Sequence, residues 1–152
     1  MKKIHSAWIG LMLFSASLSA TSQETIRSIN YEGVNVREKA GTSHEVLWRV
    51  SKHFPFQVLS QQNGWTRVKD FEGDTGWVSS RYLSDTPTVI VKNTFANLRE
   101  KPSTTAKKVG AAKYGDIFVL KEVQKEWVQV TLDDGKTAWI FRDLVWGSLG
   151  KK

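Results

Sequence analysis

Catalysis needs titratable or nucleophilic groups in company, and this chain offers few. Beyond His5, near its start, the imidazoles are His44 and His53, and cysteine is absent. Without a thiol there is no cysteine nucleophile, no disulfide, no cysteine metal site and no lipid-bearing cysteine. Neither histidine belongs to a Ser-His-Asp arrangement or an HExxH run, and no glycine-rich loop is built to cradle phosphate. Carboxylates cluster twice, as Asp70, Glu72 and Asp74 and as Asp133 and Asp134. They could serve as an acid–base pair or as calcium ligands, but the spacing of a calcium loop is missing. Both clusters sit where the chain turns, and acids solvating a hairpin account for them. The expectation is a protein that is not an enzyme, with no catalytic residue, no metal and no cofactor.

Residues suited to binding stand out more clearly. In Trp65-Thr66-Arg67-Val68-Lys69, strand alternation puts Trp65 on the face opposite Val68. Trp127 likewise lies opposite Val128, Val130 and Leu132. The aliphatic face is the core, so both indoles should be at least partly exposed. An exposed indole offers an apolar body and one N–H, which suit a peptide or a sugar. The same ring can instead cover its own domain or pack between domains. Trp77 and Trp139 precede the apolar Val78 and Ile140, so alternation does not say which of each pair points inward, and a structural role is expected. Arg37 and Arg99 stand at strand-to-loop corners, where a guanidinium can hold loop carbonyls or meet an acidic partner. Bracing is the leading expectation.

These side chains come in pairs because the chain repeats itself at a constant offset of 62 residues. Asn35-Val36-Arg37-Glu38-Lys39 returns as Asn97-Leu98-Arg99-Glu100-Lys101. Phe56, Val58, Trp65 and Val68 return as Phe118, Leu120, Trp127 and Val130, and Gly73, Trp77 and Val78 as Gly135, Trp139 and Ile140. One register through several apolar clusters means one structural unit, duplicated. A side chain kept in both copies serves the shared fold or a shared site. One present in a single copy cannot be required by the fold.

Each unit reads as short strands between turns. In the first, residues 29–31, 34–37, 46–50, 56–60, 65–70 and 75–78 look extended, with a polar loop over 39–43. Asn63-Gly64 and Glu72-Gly73 mark turns. Asp134-Gly135 is the stronger hairpin signal, because that pair tolerates the positive φ of a two-residue turn. So many strands in so short a span favour a small, strongly bent barrel.

Asn35-Val36-Arg37, Gly64-Trp65, Gly76-Trp77-Val78 and Tyr82-Leu83 resemble the bacterial Src-homology-3-like domain of envelope proteins. The second copy matches through Asn97-Leu98-Arg99, Glu126-Trp127, Ala138-Trp139-Ile140 and Leu144-Val145. The resemblance implies an all-β protein of two tandem barrels with five or six strands each, closed by 3₁₀ turns near residues 80–82 and 142–144. It also implies binding or targeting at the cell wall. In eukaryotic relatives of the fold, a strand Trp and the Tyr of the terminal 3₁₀ turn line a peptide groove. At matching positions, Trp65 and Tyr82 would form one here. Trp127 faces Leu144 instead, which sets the two units apart. Candidate ligand-binding residues are therefore Trp65, Tyr82, Trp127, Arg37 and Arg99.

The chain's beginning reads differently. Lys2 and Lys3 precede an apolar run over 7–14 and small residues over 15–22, the pattern of a cleavable secretory signal peptide. The expected organisation is a signal peptide over 1–22, one domain over 23–84, a linker over 85–87, a second domain over 88–147 and a basic tail over 148–152. Removing Lys2 and Lys3 from 22 basic residues leaves 20 against 15 acidic ones, a net charge of +5. Those charges are mixed along the chain, without the one-sided basic stripe that nucleic acid requires. The expectation is a periplasmic or secreted monomer whose partner is a cell-wall peptide or an envelope protein, with no nucleic acid and no stable membrane insertion after cleavage. The alternative is a regulatory subunit or scaffold that binds one separately encoded envelope enzyme or other protein.

Overall fold

The computed structural model describes residues 24–150; the expected signal peptide and the final two lysines lie outside them. Strands β1 (Ile26–Ile29), β2 (Val34–Arg37), β3 (Val46–Val50), β4 (Pro55–Gln62), β5 (Trp65–Lys69) and β6 (Thr75–Ser79) lead into a 3₁₀ turn at Ser80–Tyr82. The short β7 (Leu83–Ser84) follows it. The second half repeats the series as β8 (Thr88–Val91), β9 (Phe95–Arg99), β10 (Lys108–Lys113), β11 (Ile117–Gln124), β12 (Trp127–Thr131) and β13 (Thr137–Phe141). A second 3₁₀ turn at Arg142–Leu144 then enters β14 (Val145–Gly147). Each half is one seven-stranded antiparallel sheet, ordered β3-β2-β6-β5-β4-β1-β7 and β10-β9-β13-β12-β11-β8-β14. The fold is all-β, and both 3₁₀ turns lie where they were expected.

Three details differ from the sequence-based expectation. The first strand is Ile26–Ile29, not 29–31, because His53 and Phe54 bond to the backbone of Ile29 and the chain turns after it. The strand count is seven, since the residues after each 3₁₀ turn pair back onto β1 or β8. The loop at Asp134-Gly135 holds three residues, closed by Leu132 N–H donating to Lys136 C=O at 2.8 Å. Gly135 alone takes a positive φ there, as Gly73 does in the equivalent loop. The two-residue turn is Asn63-Gly64, with φ of 49° and 79°, which matches the twist of its flanking strands.

Bulges let so small a sheet close. β4 skips a partner between Val58 and Ser60, and β11 skips one between Leu120 and Glu122, its equivalent position. β3 and β10 do the same at Leu47 and Val109. An extra residue bends its strand and increases the local twist. It also explains why the apolar Leu47, Leu59 and Val109 are exposed: each is the unpaired residue of a bulge.

Each half has its own core. Ile29, Val36, Phe56, Val68 and Val78 are fully enclosed in the first, and Val89, Val128, Val130 and Ile140 in the second. Val78 and Ile140 thus take the inward position beside Trp77 and Trp139. Trp77 is half-buried, whereas Trp139 is 8% exposed and packs as a structural residue.

Candidate functional site

In β5, Thr66 and Val68 are buried while Trp65 is half-buried and Arg67 exposed, so the alternation places the indole on the outer face. The adjoining 3₁₀ turn is pinned on both sides. Ser80 N–H donates to Gly64 C=O at 2.9 Å, and Asn30 N–H to Tyr82 C=O at 2.9 Å. These bonds fix the Tyr82 ring next to the Trp65 strand, and the structure brings Trp65, Tyr82 and Arg37 to one groove of about 580 Å³. Tyr31, Arg49 and Arg81 line it as well.

Tyr82 is held from two sides. Tyr31 packs on it with ring centroids 5.8 Å apart, and the Arg81 guanidinium lies 4.8 Å from the ring centre. Arg81 Nη2 also donates to the Tyr82 hydroxyl oxygen at 2.8 Å. An oxygen that accepts this bond keeps its own proton to donate outward. The groove therefore presents an indole, two phenols and several guanidinium N–H groups, a set that suits a peptide carrying hydrogen-bond acceptors.

Arg37 is partly committed to the scaffold. Its Nη1 donates to His44 C=O at 2.7 Å, and Arg99 Nη1 donates to Ala106 C=O at 2.8 Å, the same bond 62 residues on. Both arginines brace the loop that follows their strand, and Arg37 also faces the groove.

The second copy is built alike but filled differently. Trp127 and Arg99 line a groove of about 200 Å³ together with Phe141 and Leu144. Phe141 stands where the first copy has Ser79, and its ring meets Trp127 edge-on with centroids 5.5 Å apart. Leu144 replaces Tyr82, so the phenol is missing as well.

Tyr31, Arg49 and Arg81 were not singled out from the sequence. Their signal was difference: the second copy has Asn93, Ala111 and Asp143 at those positions. Comparing copies for what they share finds the barrel. Comparing them for what they do not share finds the wall of the groove.

The turn acids find a structural use. Asp70 Oδ1 accepts N–H bonds from Glu72 and Asp74, both at 2.9 Å. Burial pushes the Asp70 carboxyl above the usual range, and these two bonds pull against that rise. Glu72 accepts a hydrogen bond from the Tyr114 hydroxyl of the second copy. The carboxylates of Asp70, Glu72 and Asp74 lie within 4.8 Å of one another.

The profile of the bacterial SH3 domain matches the chain twice, over residues 32–84 and 94–145. The chain belongs to the bacterial SH3 domain family. Among curated relatives, it is 26% identical over 132 residues to a Bacillus subtilis protein named for N-acetylmuramoyl-L-alanine amidase activity, covering 76% of this chain and 25% of that protein. It is 32% identical over 93 residues to p60 of Listeria innocua, named for endopeptidase activity, covering 57% of this chain and 20% of p60. The bacterial SH3 chain thus spans a quarter or less of these relatives' lengths. A solved NlpC/P60 family protein from Bacillus cereus aligns with 14% identity and a TM-score of 0.38, over 83% of this chain and 57% of that one. Among the described residues, no helix is long and apolar enough to cross a membrane.

Proposed function

We propose that this protein is an exported, non-catalytic binding protein of the cell envelope, and that the groove of its first repeat holds the ligand, a cell-wall peptide or an envelope protein. The observation that carries this reading is the convergence of Trp65, Tyr82 and Arg37 on one open groove, on the face turned away from the core. We take the family as one of binding modules, and the name of one relative is that of an amidase for N-acetylmuramoyl-L-alanine, a constituent of the wall, which supports the wall as the setting. That activity belongs to the relative, which extends well beyond the shared segment.

The unequal grooves bear on the choice between ligands. Two equal modules would gain avidity on a repetitive polymer. One open groove and one narrowed by Phe141 favour a single engagement, as a subunit holding one envelope protein would need. Sedimentation with purified murein sacculi tests the two. Saturable co-sedimentation of the mature protein, lost on Trp65→Ala, supports wall binding. Protein left in the supernatant supports the single protein partner.

A further inference from the structure

We propose that the groove of the first repeat selects ligands bearing a free carboxylate, with Arg81 as the residue that reads it, and that the second repeat lacks this selectivity. The inference rests on the reading of that groove as the binding site.

Charge carries the argument. The charged residues lining the first groove are Glu32, Arg37, Arg49 and Arg81, which sum to −1 + 3 = +2. The same four positions in the second repeat are Thr94, Arg99, Ala111 and Asp143, which sum to +1 − 1 = 0. The repeats share their scaffold and differ here by two charges, with a reversal of sign at the Arg81 position. None of these differences is required by the fold, since both halves form the same sheet.

The arginines also have donors to give. Arg37 and Arg49 each donate to one backbone carbonyl, of His44 and Gly33 respectively. A guanidinium has five N–H donors in a planar fork, so most remain for a ligand. Glu32 is the one lining carboxylate, and one of its oxygens accepts the backbone N–H of Lys52 at the groove's edge.

Arg81 is the best placed of the three. It is exposed, and its guanidinium is held over Tyr82 by the ring and by the hydroxyl together. A guanidinium oriented in advance loses less freedom when it binds. Its remaining N–H groups and the outward proton of the Tyr82 hydroxyl form a pair of donors on one rim. A carboxylate, flat and accepting through two oxygens, matches such a pair. In the second repeat Asp143 and Leu144 offer neither donor, and Arg99 is the one charged residue lining the groove there.

Two synthetic wall-type peptides of Ala, γ-linked Glu and diaminopimelate test this, one with free carboxyls and one amidated, titrated calorimetrically into the mature protein. The free peptide should bind about tenfold or more tightly than its amidated partner, as a charge-assisted bond implies. Arg81→Gln should abolish that difference, with the amide spectrum still that of the folded barrel. Equal affinities in the unmodified protein, or a difference that survives Arg81→Gln, would overturn the proposal. Sacculi that sediment the protein while neither peptide binds would retain wall binding and reject carboxylate selection. So would sedimentation lost once phosphate polymers are stripped from the sacculi, because the anion would then be phosphate. Selective binding of the free peptide without sedimentation by sacculi would uphold the selectivity and reject the wall as its setting.

Discussion

Arg37 and Arg99 donate to equivalent carbonyls in both copies, whereas Trp65 and Trp127 keep the same strand position and meet different neighbours. The first pair braces its loops through these bonds, with Arg37 facing the groove as well; the second is separable by mutation. Val68 is 0% exposed, so Val68→Asp would bury an unpaired charge, and that half should fail to fold in circular dichroism and amide spectra. Trp65→Ala removes a ring from the opposite face and should leave the melt within a few degrees of the unmodified protein. Ligand binding should weaken by about 2 kcal/mol or more, the usual cost of truncating a binding anchor. A melt as damaged as that of Val68→Asp would make Trp65 a core residue and end its role as a site. Trp127→Ala should act the other way round. It loses an aromatic pair with Phe141, costing about 1 kcal/mol of stability by chemical denaturation, with little effect on binding. The sequence disclosed both indoles and their outward faces, because alternation about Val68 and Val130 is unambiguous. It did not disclose that Phe141 narrows the second groove, since an aromatic at a strand's end carries no periodicity to say what it touches.

At the scale of elements, matched substitutions follow from packing. A methyl group at Gly76 in β6 would lie 2.4 Å from Val36 Cγ1 and 3.4 Å from Trp48. Val36 is β-branched, fully buried and hence stiff, so it cannot move aside cheaply. The second repeat carries Ala138 at the same place, and there Gly110 stands where Trp48 would be. Gly76→Ala should therefore destabilise the first half by about 1–3 kcal/mol, as overpacking does, read from the urea midpoint. The double change Gly76→Ala with Val36→Ala should recover less than it loses, because it opens a void beside Trp48. In β14, a methyl group on Gly147 would meet the Thr88 carbonyl oxygen at 2.2 Å, and its φ of 143° is one that side chains resist. Gly147→Ala should thus unpair β14 from β8, detectable as lost amide protection at Ile90 and Lys92, whose N–H groups face β14, while Val91, bonded to Asp116 C=O on the other side, stays protected. The succession of strands and the places of the turns were legible, since turn residues and alternation are local signals; the 3₁₀ closures came from the family resemblance, and the three-residue length of the Asp134-Gly135 loop was not legible. Neither were the bulges. A bulge is set by how strands must bend to close, and nothing local at Leu47 or Leu59 records that need.

The whole molecule has an aromatic contact that runs from the first core into the second repeat. Phe56 meets Phe54 at 4.9 Å, Phe54 meets Phe71 at 6.3 Å, and Phe71 meets Tyr114 at 5.4 Å between ring centroids. The second repeat has Asp116 and Asp133 where the first has Phe54 and Phe71, which follows if only one copy's surface at this place is covered by a neighbouring repeat. The Tyr114 hydroxyl closes the contact by donating to the Glu72 carboxylate. That bond, with the negative charge beside it, pushes the Tyr114 pKa from 10.0 up to about 12. The sign is fixed by the protonated form: only the neutral phenol can donate. The contact is therefore fully present below the ordinary tyrosine range and is lost as pH rises through about 12. Ultraviolet titration of the intact protein, minus that of Tyr114→Phe, should show one phenol ionising near the upper value. In the second repeat expressed alone, which lacks Glu72, the same phenol should ionise close to 10.0. Each repeat has its own enclosed core, so both halves should fold when separated near residues 85–87, with stabilities of a few kcal/mol. The first half should melt at a lower temperature alone than in the tandem, because separation exposes Phe71. If the phenol titrates identically in the intact protein and the isolated repeat, the two barrels are not joined through Glu72.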